Sequence, residues 1–135
     1  MFYKNEFFQD YNQDKQYFAL NTLIVVNLIL MKEFNLKYLL GILNSKLMDY
    51  YYFNKHKSTK TVFSEIQARS VGELPIKKAP KTEQNQMSII VDRIITAKKN
   101  NPEVDTGALE REIDKLVYKL YNLTEEEIAI VEGRN

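Results

Sequence analysis

Residues Leu36–Phe53 read LKYLLGILNSKLMDYYYF, and the fold turns on how this stretch is read. Leu36, Leu39, Leu40, Leu43, Leu47 and Tyr50 recur at three- and four-residue steps, the period of one helix face. Asn35 stands before them as an N-cap, and no Pro interrupts. The pattern predicts one helix over Asn35–Phe53, on the order of 27 Å long at about 1.5 Å per residue. It ends in four aromatics, Tyr50 to Phe53, which run into the basic stretch Asn54–Lys60, NKHKSTK. Neighbours on a helix sit about 100° apart, so these four rings cannot all face one core.

Upstream, Tyr17–Met31 is the most apolar window, YFALNTLIVVNLILM. Its β-branched density predicts a strand, or two hinged near Asn21 or Asn27, with a buried helix as the alternative. Downstream, Thr61–Val71 alternates in the manner of a half-open edge strand. Gly72, Pro75 and Pro80 then hold the chain out of helix. From Thr82 the pattern becomes amphipathic. Met87, Ile90, Val91, Ile94 and Ile95 form one stripe, and Leu109, Ile113, Leu116, Val117 and Leu120 form a second. Thr124 with Glu127 makes a capping box for a short third helix. Two helices joined by a short loop predict an antiparallel hairpin.

The totals narrow the function classes. The chain has 135 residues, 44% of them hydrophobic, which suits one modest core. It contains no Cys and one His, so disulfides, thiolate chemistry and a structural zinc site are out of reach. That composition fits a reducing cytoplasm. We find no signal-peptide pattern at the start and no window that would span a bilayer. The net charge of +1 conceals a division: residues 1–82 hold 12 Lys/Arg against 7 Asp/Glu, and residues 83–135 hold 7 against 11. The front part is therefore the one that could meet a polyanion.

No catalytic constellation is present. There is no Gly-rich phosphate loop and no GxSxG elbow. Asp49 and Glu65 lack the spacing of a metal site. The acids Glu110, Glu112, Asp114 and Glu125–Glu127 read as solvated helix faces. The aromatic and basic tip carries the chemistry that remains. Lys55, Lys57 and Lys60 can pair with phosphates, and His56 can hydrogen-bond to phosphate or base edges. Arg69 can read guanine in a bidentate fashion. Lys77, Lys78 and Lys81 can track a backbone. A solvated loop and a charged, Pro-rich connection explain the same residues without DNA.

Four segments occur in a telling order: LLGILNSKL (Leu39–Leu47), ELPI (Glu73–Ile76), an apolar-striped helix (Gln86–Lys98) and LEREIDKLVYKLYNLTEEEI (Leu109–Ile128). Together they resemble the TaqI-like C-terminal specificity domain, the target-recognition part of type IIG restriction–modification enzymes and related adenine-specific DNA methyltransferases. The resemblance spans Tyr17–Glu132. It implies a β-rich lobe that reads DNA and helices that pack on the rest of the enzyme, with the LNS segment and the closing helices as scaffold. The reading residues of such domains vary with the target, so Lys55, His56, Lys57, Lys60 and Arg69 are chosen on charge and loop position. The Asn-Pro-Pro-Tyr type loop of the methyltransferases is missing. The chain is therefore expected to be a C-terminal piece that neither methylates nor cleaves by itself.

The expectation is an α+β fold: a small β-containing recognition lobe with one long helix over residues 1–81, short on its N-terminal side, then a helical hairpin over 82–135 for docking or dimerisation. Its partners would be double-stranded DNA, the remainder of the parent methyltransferase or endonuclease, and a second copy of the chain. No membrane, metal or cofactor is expected. The competing reading is a helical interaction module that uses its Ile, Leu and Val stripes as an oligomer interface and never touches DNA.

Overall fold

Asn44 and Ser45 divide the stretch that the apolar pattern runs through without a pause. The computed structural model describes residues 35–55 and 73–134, and in it the long helix is two helices: α1, Leu36–Leu43, and α2, Lys46–Lys55. Asn35 caps α1 as the sequence predicts, its Oδ1 accepting from the Lys37 amide at 2.8 Å. The break comes from short polar side chains that compete with the helix for its own backbone. Asn44 Nδ2 donates to the Leu40 carbonyl at 3.0 Å, and Ser45 Oγ donates to the Ile42 carbonyl at 2.7 Å. Both residues are buried. The first free amide of α2, on Lys46, donates to Asp114 Oδ1 at 2.8 Å across 68 positions of sequence. A carboxylate at a helix N-terminus also meets the positive end of the helix dipole.

Helix α3, Lys81–Asn100, and helix α4, Gly107–Leu120, form the hairpin. All five residues of the first stripe, Met87, Ile90, Val91, Ile94 and Ile95, are buried, as are Ile113 and Val117 of the second. The intervening loop is stapled by the buried Lys98, whose Nζ donates to the carbonyls of Val104 at 2.6 Å and Pro102 at 3.2 Å. Helix α4 closes in a Schellman motif. Asn122 takes a φ of 54°, while the Leu123 and Asn122 amides return to the Tyr118 and Lys119 carbonyls. Helix α5, Glu125–Val131, opens on the predicted capping box of Thr124 and Glu127.

One core joins these elements, drawn from α1, α2, Leu74, Ala79, α3 and α4. Helix α1 packs chiefly on α3, α2 on α4 and α5. Gly41 makes the α1–α3 approach close: a Cβ there would lie 2.7 Å from Met87 Sδ. Lys37 of α1 and Asp92 of α3 add an ion pair at the rim of the same contact.

The α+β expectation is thereby corrected. The described residues hold five helices and no strand, so the core is closed by helix against helix, without any pleated layer. The strands expected at 17–31 and 61–71 lie outside the described residues. Asp114 is corrected too. Its spacing groups it with solvated acids, but it is buried because it caps the start of α2.

Candidate nucleic-acid interface

The ELPI segment and the residues after it, 73–80, form an extended strap between the tip of α2 and the start of α3. Leu74 and Ala79 anchor it in the core, and Ile76 packs against that core in part. Its polar backbone groups find partners on three helices. Tyr38 of α1 donates its hydroxyl to the Lys77 carbonyl. Tyr121, at the end of α4, donates its hydroxyl to the Pro75 carbonyl at 2.7 Å and accepts from the Lys77 amide at 2.8 Å. Gln84 of α3 donates to the Ala79 carbonyl and accepts from the Asn35 amide, both at 2.8 Å. The strap is thus fixed to the same helices that make the core.

Burial pushes the phenols of Tyr38 and Tyr121 above the usual tyrosine range, favouring the neutral, donating form. Tyr118 is raised as well, first by burial and then by the carboxylates of Asp114 and Glu132. Its hydroxyl donates to Glu132 Oε1 at 3.3 Å, tying α4 to the end of α5.

Four of the expected contact residues fall within the described residues. Lys55 ends α2, with Nζ 5.7 Å from the Tyr51 ring centroid and 3.6 Å from Glu73 Oε2. The tip of α2 and the start of the strap therefore meet. Lys78 and Lys81 are exposed on the strap and at the first position of α3. Lys77 Nζ donates to the Leu120 carbonyl at 2.7 Å. There it serves the C-terminal end of α4, where a cation is favoured by the dipole. His56, Lys57, Lys60 and Arg69 lie outside the described residues. Among the described residues no group of three or more His, Cys, Asp or Glu is placed to hold a metal ion.

Sequence reasoning missed the two tyrosines and Gln84 that hold the strap. Periodicity marks positions that face a core, and it is silent about a hydroxyl that reaches a carbonyl 39 or 46 positions away. The expected division of the aromatic cluster is present: Tyr52 is buried, while Tyr50 and Phe53 are 39% and 46% exposed. The Ile stripes do not supply an exposed interface, since Ile90, Ile94 and Ile113 are inside the chain's own core. Ile89, 62% exposed, lines a shallow depression with Asp92, Arg93 and Leu109, where charges of both signs meet.

The family model of the TaqI-like C-terminal specificity domain matches residues 2–76, more than half of the chain. No curated protein and no solved structure matches it significantly.

Proposed function

The chain belongs to the family of TaqI-like C-terminal specificity domains, and from that premise we propose that it reads double-stranded DNA for a methyltransferase–endonuclease of the type IIG restriction–modification kind. A specificity domain is a recognition module, so the bond-making and bond-breaking belong to the catalytic part of the parent enzyme, its principal protein partner. The observation that carries this reading is the family match, which takes in α1, α2 and the strap as far as Ile76. Helices α3 to α5 serve as the rigid backing and as the docking side toward the parent.

Within that reading, Lys55, His56, Lys57, Lys60 and Arg69 are the residues offered to the groove, and Lys78 and Lys81 hold phosphates. Lys77 contributes less to DNA, because its ammonium already serves the Leu120 carbonyl. The basic front of the sequence supports the assignment, and the anchored strap gives the lysines a fixed base. No helix among the described residues is long and apolar enough to cross a membrane, and the reading places the enzyme in the cytoplasm with its DNA.

The test is DNA binding by the full chain as a function of salt. Each phosphate contact contributes a slope of about −0.9 in log K against log salt. Changing Lys57 and Lys60 to Glu should weaken binding and flatten that slope. Unchanged, salt-dependent binding in the charge-swapped chain would show that the basic tip is not the footprint.

A further inference from the structure

Helix α2 carries an exposed aromatic pair that the core does not use. Met48 and Tyr52 point inward and are buried. Tyr50 and Phe53, three positions apart, are neighbours on the outer face. The exposed residues of α2 are Lys46, Tyr50, Phe53, Asn54 and Lys55, with a cation at each end of the helix and no carboxylate among them. Phe53 is braced from behind by Tyr52, edge-on at 6.0 Å between centroids and 87° between planes.

We infer that Tyr50 and Phe53 form a stacking platform for bases at an opened step of DNA. The inference rests on the recognition reading and deepens it by naming how two residues touch the nucleic acid. Area argues against a second copy of the chain as the occupant. Rings of this kind bury about 150–250 Å² each when covered, so the exposed parts amount to roughly 170 Å² together. A stable protein interface needs about 800 Å² per partner. One or two bases, by contrast, are covered by two rings, and stacking tolerates any base because every base has a π face. Charge points the same way. Lys46 flanks the pair at one end and Lys55, ion-paired with Glu73, at the other, and the basic stretch through Lys60 follows directly in sequence. A duplex must be unstacked locally before a ring can enter, and that unstacking costs free energy. The platform therefore favours DNA in which a step is already open.

The experiment compares the full chain on a mixed-sequence duplex and on the same duplex with one abasic site beside a 2-aminopurine. The wild-type chain is expected to bind the opened duplex about tenfold more tightly and to quench the 2-aminopurine. The double variant Tyr50→Ala, Phe53→Ala should bind both duplexes equally, without quenching, at the wild-type salt slope and melting temperature. Phe53→Leu keeps apolar bulk without the ring and should lose most of the quenching. The inference is overturned by an absent preference in the wild type, by a preference that survives the double variant, or by full quenching in Phe53→Leu. In each of those cases salt-dependent binding of the paired duplex leaves the recognition reading standing. A change of sedimenting mass in the double variant would instead assign the face to a second copy. If the wild type binds neither duplex, the recognition reading itself fails and takes the platform with it.

Discussion

Gly41→Ala is expected to destabilise the chain, although Gly→Ala in a helix normally does the opposite. At an unobstructed helical position the change gains about 1 kcal/mol from the smaller backbone entropy loss of Ala. At position 41 the new Cβ would sit 2.7 Å from Met87 Sδ, 2.9 Å from Met87 Cγ and 3.3 Å from Val91 Cγ2. Met87 and Val91 are both buried, so neither has open space to move into. The Cγ contact is decisive, because rotating the thioether end leaves it in place. Overpacking of a filled core costs about 1–3 kcal/mol. The net is a loss of about 1 kcal/mol, or a fall in melting temperature of about 3–5 °C for a chain of this size. Circular dichroism during thermal and urea unfolding measures it. The cause is isolated by a double-mutant cycle with Met87→Ala. That substitution alone costs about 2–5 kcal/mol, but it vacates the space that the added methyl on α1 needs. The double variant should therefore be more stable than the sum of the singles by about the overpacking cost. A stabilised Gly41→Ala, or strict additivity in the cycle, would refute the close α1–α3 approach as the reason for glycine.

Asp114→Ala should cost about 2 kcal/mol in urea unfolding, because it leaves the Lys46 amide at the start of α2 without its partner, and Asp114→Asn should recover part of that loss. Tyr121→Phe removes the hydroxyl shared by the Pro75 carbonyl and the Lys77 amide. It should cost about 1 kcal/mol and speed hydrogen exchange at the Lys77 amide, since water can replace the bonds only in part. Stability should be full below pH 10 or so and fall as pH rises past it. Tyr38, Tyr118 and Tyr121 hold their protons more tightly folded than unfolded, so the unfolded state binds fewer protons there. Tyrosinate absorbance and circular dichroism followed together check this, and free titration of all nine tyrosines without unfolding would contradict it. Lys77→Gln should lower stability by about 0.5 kcal/mol in urea unfolding, because the Leu120 carbonyl at the end of α4 loses its cation.

The elements that sequence made legible are those whose physics is local. The capping box of Thr124 and Glu127 involves residues three apart, and the stripe from Met87 to Ile95 repeats within one helix. The break at Asn44–Ser45 is hidden because apolar positions keep their helical spacing on both sides of it. Only the side-chain bonds to Leu40 and Ile42 reveal the stop. Asp114 escapes for a different reason: its partner is the amide of Lys46, and no local pattern links the two. The α+β expectation rests on β-branched content at 17–31 and alternation at 61–71, both outside the described residues, whereas the described residues hold helices and no strand. Among the site residues, charge alone picks out Lys77 with its neighbours, and charge does not reveal that the Lys77 ammonium also serves the end of α4.

The ion pair between Lys55 and Glu73 has a bearing on how such a domain can change its target. It brings the two ends of segment 56–72 to within 3.6 Å at their charged groups, on a frame held by the strap and the core. The entropic cost of closing a flexible connection grows slowly with its length, about 0.6 kcal/mol for each doubling. On the proposed reading, a change of length or composition between Lys55 and Glu73 is expected to move the melting temperature of α1 to α5 little. If the proposed base readers lie in that segment, a graft between Lys55 and Glu73 is expected to change the target sequence while α1 to α5 keep their packing.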